Sequence, residues 1–272
     1  MDKIIIEPIT SMKNAFSVAG QNVVITGGNR GLGRGIAQAF AECGANVAIL
    51  CRNEASGNKA AEQLRLLGSR ALAVKCDVGD FDSVLRAKET VEKEFDHIDT
   101  LVNNAGIDGK HGVFDDARLE EFKRVMNVNL DGVAAMIQVF GQWMMDEGRG
   151  GEIINISSIG GQAIGDPRAH PMPSYNASKA ALDHLTRHLS IVMGDYGIRV
   201  NAIAPGPTHS DLDTGLPPSI TQFIDETMPM HRFGEPLEIG ALAVFLASPA
   251  AAQITGVVAN HDGGTMCVGL TF

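Results

Sequence analysis

Residues 22–35 read NVVITGGNRGLGRG, and this stretch decides the fold. Its first five residues form a β-branched run that predicts a buried strand, and glycines follow at once. From residue 33 the sequence GRGIAQAFAECGA has helical apolar spacing and stops at Gly44. A strand that passes through a glycine turn into a helix opens a βαβ unit. The stretch therefore predicts the start of a parallel α/β sheet.

The same alternation of strand and helix repeats along the chain about seven times. The strands are continuous Val/Ile/Leu runs, as expected when helices cover both sheet faces. We predict an α/β fold, a Rossmann-type doubly wound parallel β-sheet of about seven strands in a single domain. The predicted strands are 22–28, 46–51, 70–78, 98–106, 152–158, 198–206 and 256–264, and the predicted helices are 33–45, 54–68, 81–95, 118–147, 175–197 and 235–248.

We expect residues 1–16 to be an N-terminal extension and residues 17–272 to form the domain. Two stretches within it lack periodicity, 159–174 and 206–232. Irregular segments of this length in a compact domain are commonly lids or binding loops. We predict that the stretch at about 206–232 is a substrate loop or lid.

Composition limits the partners. Of the 272 residues 44% are hydrophobic and 20% charged, and the formal net charge is −10. This charge argues against nucleic acid or an anionic membrane surface as the main partner. No apolar run approaches the ~20 residues of a membrane span, and the N-terminus lacks a signal peptide's apolar core, so we expect a cytoplasmic protein. The four cysteines have no paired ligand spacing, so we predict no metal site.

The glycine turn has the spacing G-x-x-x-G-x-G, formed by Gly27, Gly31 and Gly33. Glycines between a strand and a helix let backbone N–H groups approach a pyrophosphate at the helix N-terminus. The alternative is a tight turn with no ligand, and the position after the first strand favours nucleotide binding.

The end of the second strand should contact the adenosine ribose. An acidic residue there would bind a free 2′-hydroxyl, but this chain has Cys51 followed by Arg52, and Arg30 lies in the glycine turn. Two guanidinium groups suit a 2′-phosphate. We therefore favour NADP(H), with NAD(H) possible. The alternative is a pair of solvated surface arginines.

Eight short motifs occur in an order and spacing that resemble the short-chain dehydrogenase/reductases from about residue 17 to 265. Together they are far more specific than any one alone. The motifs are TGGNRGLG (26–33), CDV (76–78), NNAG (103–106), VNL (128–130), NISSIGG (155–161), YNASK (175–179), IRVNAIAPG (198–206) and DGG (262–264).

The resemblance implies an NAD(P)(H)-dependent oxidoreductase that transfers a hydride between the cofactor and a carbonyl or secondary alcohol. It implies four catalytic residues, Asn129, Ser158, Tyr175 and Lys179, and no metal. Ser157 competes with Ser158, and the glycine three positions after Ser158 favours the latter. The implied cofactor-binding residues are Gly27, Asn29, Arg30, Gly31, Leu32, Gly33, Arg52, Asp77, Val78, Asn104, Ala105, Gly106, Tyr175, Lys179, Pro205, Gly206, Thr208 and Ser210.

Tyr175 and Lys179 are four residues apart, so they can share a helix face. Lowering a tyrosine pKa from about 10 to near 7 requires roughly 4 kcal/mol, and a nearby ammonium and an oxidised nicotinamide both supply positive charge that favours the phenolate. We expect Lys179 to lower the Tyr175 pKa, Tyr175 to act as general acid, and Ser158 to stabilise the oxyanion. Asn129 is expected to hold a relay water.

Two departures from the family pattern fall near the substrate. Tyr175 follows Ser158 by 17 positions, against about a dozen in the family, and Ser210 replaces its usual threonine. We expect the insertion to shape the pocket mouth and the lid to combine apolar and polar groups. The insertion residues are Asp166, Arg168, His170 and Met172, and the lid residues are His209, Asp211, Leu212, Asp213, Leu216, Phe223, Met228, Met230 and His231.

The substrate stays open among a keto-sugar or polyol, a 3-oxoacyl compound and a steroid-like ketone. The family implies a homotetramer or homodimer that binds a small-molecule substrate, with the two longest helices at the main interface. Two other functions stay open: a cofactor-binding regulatory protein without turnover, and a lyase or isomerase that uses the same tyrosine.

Overall fold

A computed structural model of the chain describes residues 3–164, 172–209 and 218–268. Seven parallel strands form one sheet in the order β3-β2-β1-β4-β5-β6-β7. The strands are β1 (Asn22–Thr26), β2 (Asn46–Cys51), β3 (Ala71–Lys75), β4 (Thr100–Asn103), β5 (Gly151–Ile156), β6 (Ile198–Pro205) and β7 (Val258–His261).

Helices cover both faces of this sheet, which is the Rossmann-type arrangement predicted from the sequence. The α-helices are α1 (Gly31–Glu42), α2 (Glu54–Leu66), α3 (Phe81–Glu92), α4 (Glu120–Met126), α5 (Gly132–Met136), α6 (Gln142–Glu147), α7 (Pro173–Gly194), α8 (Pro218–Glu226), α9 (Pro236–Ala247) and α10 (Thr265–Val268).

Alternate strand residues supply two separate apolar cores, as the period of two in a strand requires. On one face Ile25 and Ile49 pack with α1, α2 and α9, around Phe40. On the other face Val24 and Leu50 pack with α3, α5, α6 and α7. The strands are therefore buried on both sides, which explains their uninterrupted apolar sequences.

The predicted helix 118–147 is the element that differs most from expectation. It begins at Glu120, because Arg118 and Leu119 have positive φ angles of 58° and 56°. Two π-helical turns, Asn127–Asp131 and Ile137–Gly141, separate α4, α5 and α6. π-Turns arise from local packing that apolar periodicity does not reveal, and they are frequent at functional sites.

Two short helices, α8 and α10, were not predicted. α8 lies within the stretch predicted to be an irregular lid, and α10 follows the DGG motif. Across the described ranges, no helix is long and apolar enough to span a membrane. The same ranges contain no cluster of His, Cys, Asp and Glu side chains suited to a metal ion.

Candidate active site

The order of strands places a crevice between β1 and β4, where the connections leave the sheet in opposite directions. Ligands of open α/β sheets bind at such a switch point. Asn104 links the ends of β1 and β4 there by donating its side-chain amide to the Thr26 carbonyl at 2.9 Å. Thr26 Oγ1 in turn accepts from the backbone N–H groups of Asn104 and Ala105, both at 2.9 Å. The TGG and NNAG motifs thus form one unit.

The glycine turn packs too tightly for side chains. Gly27 has a φ of +68°, and a Cβ there would lie 2.9 Å from the Asn104 amide nitrogen. A Cβ on Gly33 would overlap the same nitrogen and the Gly27 carbonyl. Gly31 has a φ of +51° and open space beside it. This backbone, at the N-terminus of the twelve-residue α1, is a cradle that fits a pyrophosphate.

The two arginines expected to contact the ribose lie at the glycine turn and directly after β2. Arg30 occupies the N-cap of α1, and Arg52 is exposed after β2. Among the residues that the structure describes, neither guanidinium has a hydrogen-bond or ion-pair partner. Cys51, by contrast, is buried and donates to the Asn53 carbonyl at 3.3 Å. Burial raises its thiol pKa, so it presents no charge to a ribose.

Asn29 links the glycine turn to α2. Its amide donates to Ser56 Oγ at 2.9 Å, and the Ser56 N–H donates to the N-cap side chain of Asn53 at 3.0 Å. Leu32 is half-buried and packs on the core beneath α1. The turn and the start of α2 are therefore fixed relative to each other.

Asp77 and Val78 lie at the turn after β3, where the family resemblance places the adenine contact. The Asp77 carboxylate accepts from the Gly79 N–H at 3.1 Å, and its own N–H donates to Ser83 Oγ at 3.0 Å. Val78 is buried against Gly132 of α5, where an added Cβ would lie 2.9 Å away. Because the strands are parallel, both residues follow the same edge of the sheet as the glycine turn, two strands away from it.

Asn129 sits in the first π-turn and is almost fully buried. Its side chain bonds both backbone polar groups of Ile107, accepting from the N–H and donating to the carbonyl at 2.8 Å each. It also donates to Ser178 Oγ at 3.1 Å. The amide therefore ties the end of the NNAG motif to α7. Its predicted contact with a relay water stays a prediction.

Lys179 is 4% exposed, and its ammonium donates to the Ile156 carbonyl at 2.7 Å. Burial lowers its pKa to about 8, and the charge of Asp183 opposes this change. A Cβ on Gly106 would lie 3.7 Å from Lys179 Nζ. The ammonium therefore faces the exposed NNAG glycine, beside the cofactor cradle.

The two candidate serines point in different directions. Ser157 is buried, donates to the Lys179 carbonyl at 3.4 Å and contacts Asp183. Ser158 caps the turn Ile159–Gly161 by accepting from the Gly160 N–H at 3.1 Å, and it hydrogen bonds to Tyr175. The geometry favours Ser158 as the partner of the tyrosine.

The pKa of Tyr175 is raised rather than lowered in the chain by itself. Burial raises the pKa of its phenol, the hydrogen bond with Ser158 lowers it, and the charge of Asp108 raises it further. The Lys179 ammonium lies 5.6 Å from the centre of the tyrosine ring. Desolvation of the phenolate therefore dominates in the chain by itself, and the expected lowering by Lys179 together with an oxidised nicotinamide stays a prediction.

Asp108 and Asp183 are charged neighbours of the site that the sequence analysis missed. Asp183 is buried one helical turn after Lys179, and burial raises its pKa. The i, i+4 spacing from Lys179 could have identified it. No local pattern marks Asp108, because its approach to Tyr175 depends on how the loop after β4 folds.

The loop that follows β6 carries the last group of predicted cofactor-binding residues. Gly206 donates its N–H to the His261 carbonyl at 3.0 Å, next to Pro205, and Thr208 Oγ1 donates to the Gly206 carbonyl at 3.0 Å. Thr208 therefore stiffens this loop. Ser210 lies outside the described residues, as do Asp211, Leu212, Asp213 and Leu216.

The predicted lid and insertion are only partly described. Phe223 and Met228 are buried with Ile224 and Phe233 in a small cluster of their own. Met230 packs beside Gly263 and is largely exposed. His209 stacks on Phe233, with 4.6 Å between ring centres, and His231 Nδ1 lies 3.0 Å from the Asp225 carbonyl. Met172, the N-cap of α7, is half-buried, whereas Asp166, Arg168 and His170 lie outside the described residues.

A phosphate cradle at the switch point, joined to a buried lysine and a half-buried tyrosine and serine, defines an oxidoreductase that uses a nicotinamide cofactor. The family model described as enoyl-(acyl carrier protein) reductase matches residues 27–266. The chain belongs to this family, the short-chain dehydrogenase/reductases.

Named relatives of similar length support this assignment. A galactitol 2-dehydrogenase from Rhizobium johnstonii is 36% identical over 94% of this chain and 99% of its own. A sorbose reductase from Candida albicans is 32% identical over 95% of this chain and 91% of its own. The crystal structure of a short-chain type dehydrogenase/reductase from Mycobacterium marinum superposes with a TM-score of 0.88 at 34% identity, covering 94% of this chain and all of the other.

Proposed function

We propose that the protein is an NADP(H)-dependent dehydrogenase/reductase that interconverts a polyol and a keto-sugar. The observation that carries this proposal is the approach of the Lys179 ammonium to Gly106, which joins the tyrosine end of α7 to the cofactor cradle. The sugar class rests on the relatives named for galactitol and sorbose. A 3-oxoacyl or steroid-like ketone is the competing substrate class.

The cofactor preference rests on the two arginines at the ribose end. Arg30 and Arg52 supply positive charge where a 2′-phosphate would bind, and Cys51 supplies no carboxylate to repel it. The pyrophosphate would lie on the glycine turn, the adenine beside Asp77 and Val78, and the carboxamide near Pro205, Thr208 and Ser210. When bound, the nicotinamide donates a hydride in reduction and accepts one in oxidation.

The side chains of this chain transfer the proton and bind the substrate oxygen. In reduction Tyr175 donates its phenolic proton to the substrate oxygen, and Ser158 hydrogen bonds to the same oxygen. Lys179 holds the cofactor ribose, and its charge favours the phenolate that remains. Because burial raises the Tyr175 pKa in the free protein, the positive charge of the oxidised cofactor must add to that of Lys179 before phenolate forms near neutral pH.

The remaining assignments complete the proposal. Residues 1–16 form an extension to the domain 17–272, and the stretch at about 206–232 closes over the substrate. The protein works in the cytoplasm as a homotetramer or homodimer.

A substrate panel, followed through the absorbance of reduced nicotinamide with both cofactors, tests the proposal. We expect galactitol or sorbitol oxidation, or sorbose reduction, with NADP(H) faster than with NAD(H). Faster turnover of steroid or 3-oxoacyl substrates would overturn the sugar class. Tight NADPH binding with no turnover of any carbonyl would indicate a regulatory protein instead.

A further inference from the structure

The segment after the NNAG motif is fixed at both ends. Asn129 bonds both backbone polar groups of Ile107. At the other end of the segment, Glu121 Oε1 accepts from the N–H groups of Lys110 and His111 at 2.7 and 2.9 Å. Four backbone hydrogen bonds therefore hold a five-residue segment, so its middle has little freedom.

The middle of this segment lies against the first turn of α7. Gly109 is buried, and a Cβ there would overlap Ser174 Oγ and lie 3.7 Å from Val125 Cγ2. Ser174 immediately precedes Tyr175. This close packing places Asp108 beside the catalytic end of α7, and the charge of Asp108 acts on the Tyr175 phenol.

Asp108 differs from Glu121 and Asp116, the two carboxylates of this region that are bonded to the protein. The Glu121 carboxylate pairs with His111 Nδ1 at 3.2 Å, and Asp116 accepts two backbone N–H groups at the start of α4. Within the described ranges, the half-buried Asp108 side chain has neither a hydrogen bond nor an ion pair. Its oxygens are not among the buried polar atoms that lack a partner, so they reach the solvent of the site, where a hydroxyl group of a substrate would replace water as the donor.

We propose that Asp108 is a substrate-binding residue that accepts hydrogen bonds from hydroxyl groups on carbons next to the reacting carbon. It thereby selects neutral polyhydroxylated substrates over those with a carboxylate. An ionised carboxylate is an acceptor only, so hydroxyl donors suit it, whereas an anionic group at the same place is repelled. This inference rests on the proposed function, since it concerns the substrate of the same site.

The test compares two six-carbon substrates, galactitol and gluconate, in Asp108→Asn. This replacement keeps the shape and removes the charge. We expect the ratio of kcat/KM for gluconate to that for galactitol to rise about tenfold or more, because repulsion is lost and charge-assisted hydrogen bonds become neutral. Asp115→Asn is the matched control, since Asp115 is exposed in the same loop. It should leave the ratio unchanged.

Binding measurements separate the possible failures. Calorimetric titration of galactitol into the enzyme with NADP⁺ should show weaker binding in Asp108→Asn, while NADPH binding measured by fluorescence stays at the wild-type level. An unchanged ratio in a variant that binds NADPH overturns this inference alone. If the wild type turns over neither sugars nor polyols with either cofactor, the proposed function fails and this inference fails with it. Should Asp108→Asn misfold, Asp108→Ser serves with the same expected ratio.

Discussion

The floor and the rim of the site satisfy their polar groups in different ways. By the floor we mean Asn129, Ser178 and Lys179 with the backbone of Ile107 and Ile156; by the rim we mean Arg30, Arg52 and Asp108. Every floor side chain is buried and bonded to protein. The rim side chains are exposed or half-buried and, in the described part of the chain, without partners. The floor therefore depends on the fold, whereas the rim depends on a ligand.

This difference separates two kinds of information in the sequence. Floor residues must match the backbone groups that they bond, so the fold determines their types and spacing. Rim residues contact a particular ligand, so the ligand rather than the fold determines their types. Changes in the floor should therefore alter both stability and chemistry, and changes in the rim should alter only the choice of ligand.

The largest effect should come from the tyrosine that joins floor and rim. Tyr175→Phe should lower kcat by about 10²- to 10⁴-fold, because the general acid is lost while the ring is kept. NADPH binding, measured by fluorescence, should stay close to wild type. Tyr196→Phe, which changes the only other tyrosine, is the control and should retain wild-type turnover. Near wild-type turnover in Tyr175→Phe would exclude it as the proton donor.

A floor substitution should next reduce stability itself. Asn129→Ala leaves the N–H and carbonyl of Ile107 without partners, at about 1–3 kcal/mol for each buried group. We expect urea unfolding to show a loss of about 2–4 kcal/mol in the free energy of unfolding. Asn127→Ala, in the same π-turn, removes one exposed hydrogen bond of 3.2 Å to Gly79 and should cost less than about 1 kcal/mol. Equal losses in the two variants would show that the floor is no more rigid than its surroundings.

Lys179 should make the stability of the floor depend on pH. Its pKa falls from 10.5 to about 8 on folding, so between these values the unfolded chain binds more protons and stability rises with pH. Between about pH 7 and about pH 9.5 the free energy of unfolding of the cofactor-free protein should rise by about 2 kcal/mol. The raised pKa of Tyr175 acts above this window, where it would lower stability as pH rises.

Lys179→Met should remove this dependence on pH, and the exposed Lys59→Met should preserve it. Urea unfolding of all three proteins at both pH values provides the comparison. The pH dependence is compared as a difference between wild type and variant, because the titration of groups elsewhere in the chain is common to both and cancels. The same slope in wild type and Lys179→Met would mean that the lysine is not desolvated in the free protein.

Two of the three floor side chains, Asn129 and Lys179, were named from the family's motifs, whereas Ser178 was not. The glycine turn, the Tyr175–Lys179 spacing and the strand periodicity each depend on few neighbouring residues, and the predicted fold was confirmed. The π-turn at Asn129 and the approach of Asp108 to Tyr175 depend on contacts between distant segments. The effect of desolvation on the pKa of Tyr175 was not foreseen for a related reason, since spacing shows a nearby lysine but not the burial of the phenol.

The smallest expected effect tests whether the rim chooses the cofactor without supporting the fold. Arg52→Asp replaces an exposed cation with the acidic group that suits a free ribose hydroxyl, so the preference for NADPH over NADH, measured as kcat/KM, should fall about tenfold or more. Its free energy of unfolding should match wild type within about 0.5 kcal/mol, because Arg52 has no partner to lose within the described residues. Lys59→Asp makes the same charge change on exposed α2 and should leave the preference intact. If both variants shift it equally, the arginine acts only through net charge; if neither does, the 2′-phosphate is recognised elsewhere on the rim, and Arg30 becomes the residue to change.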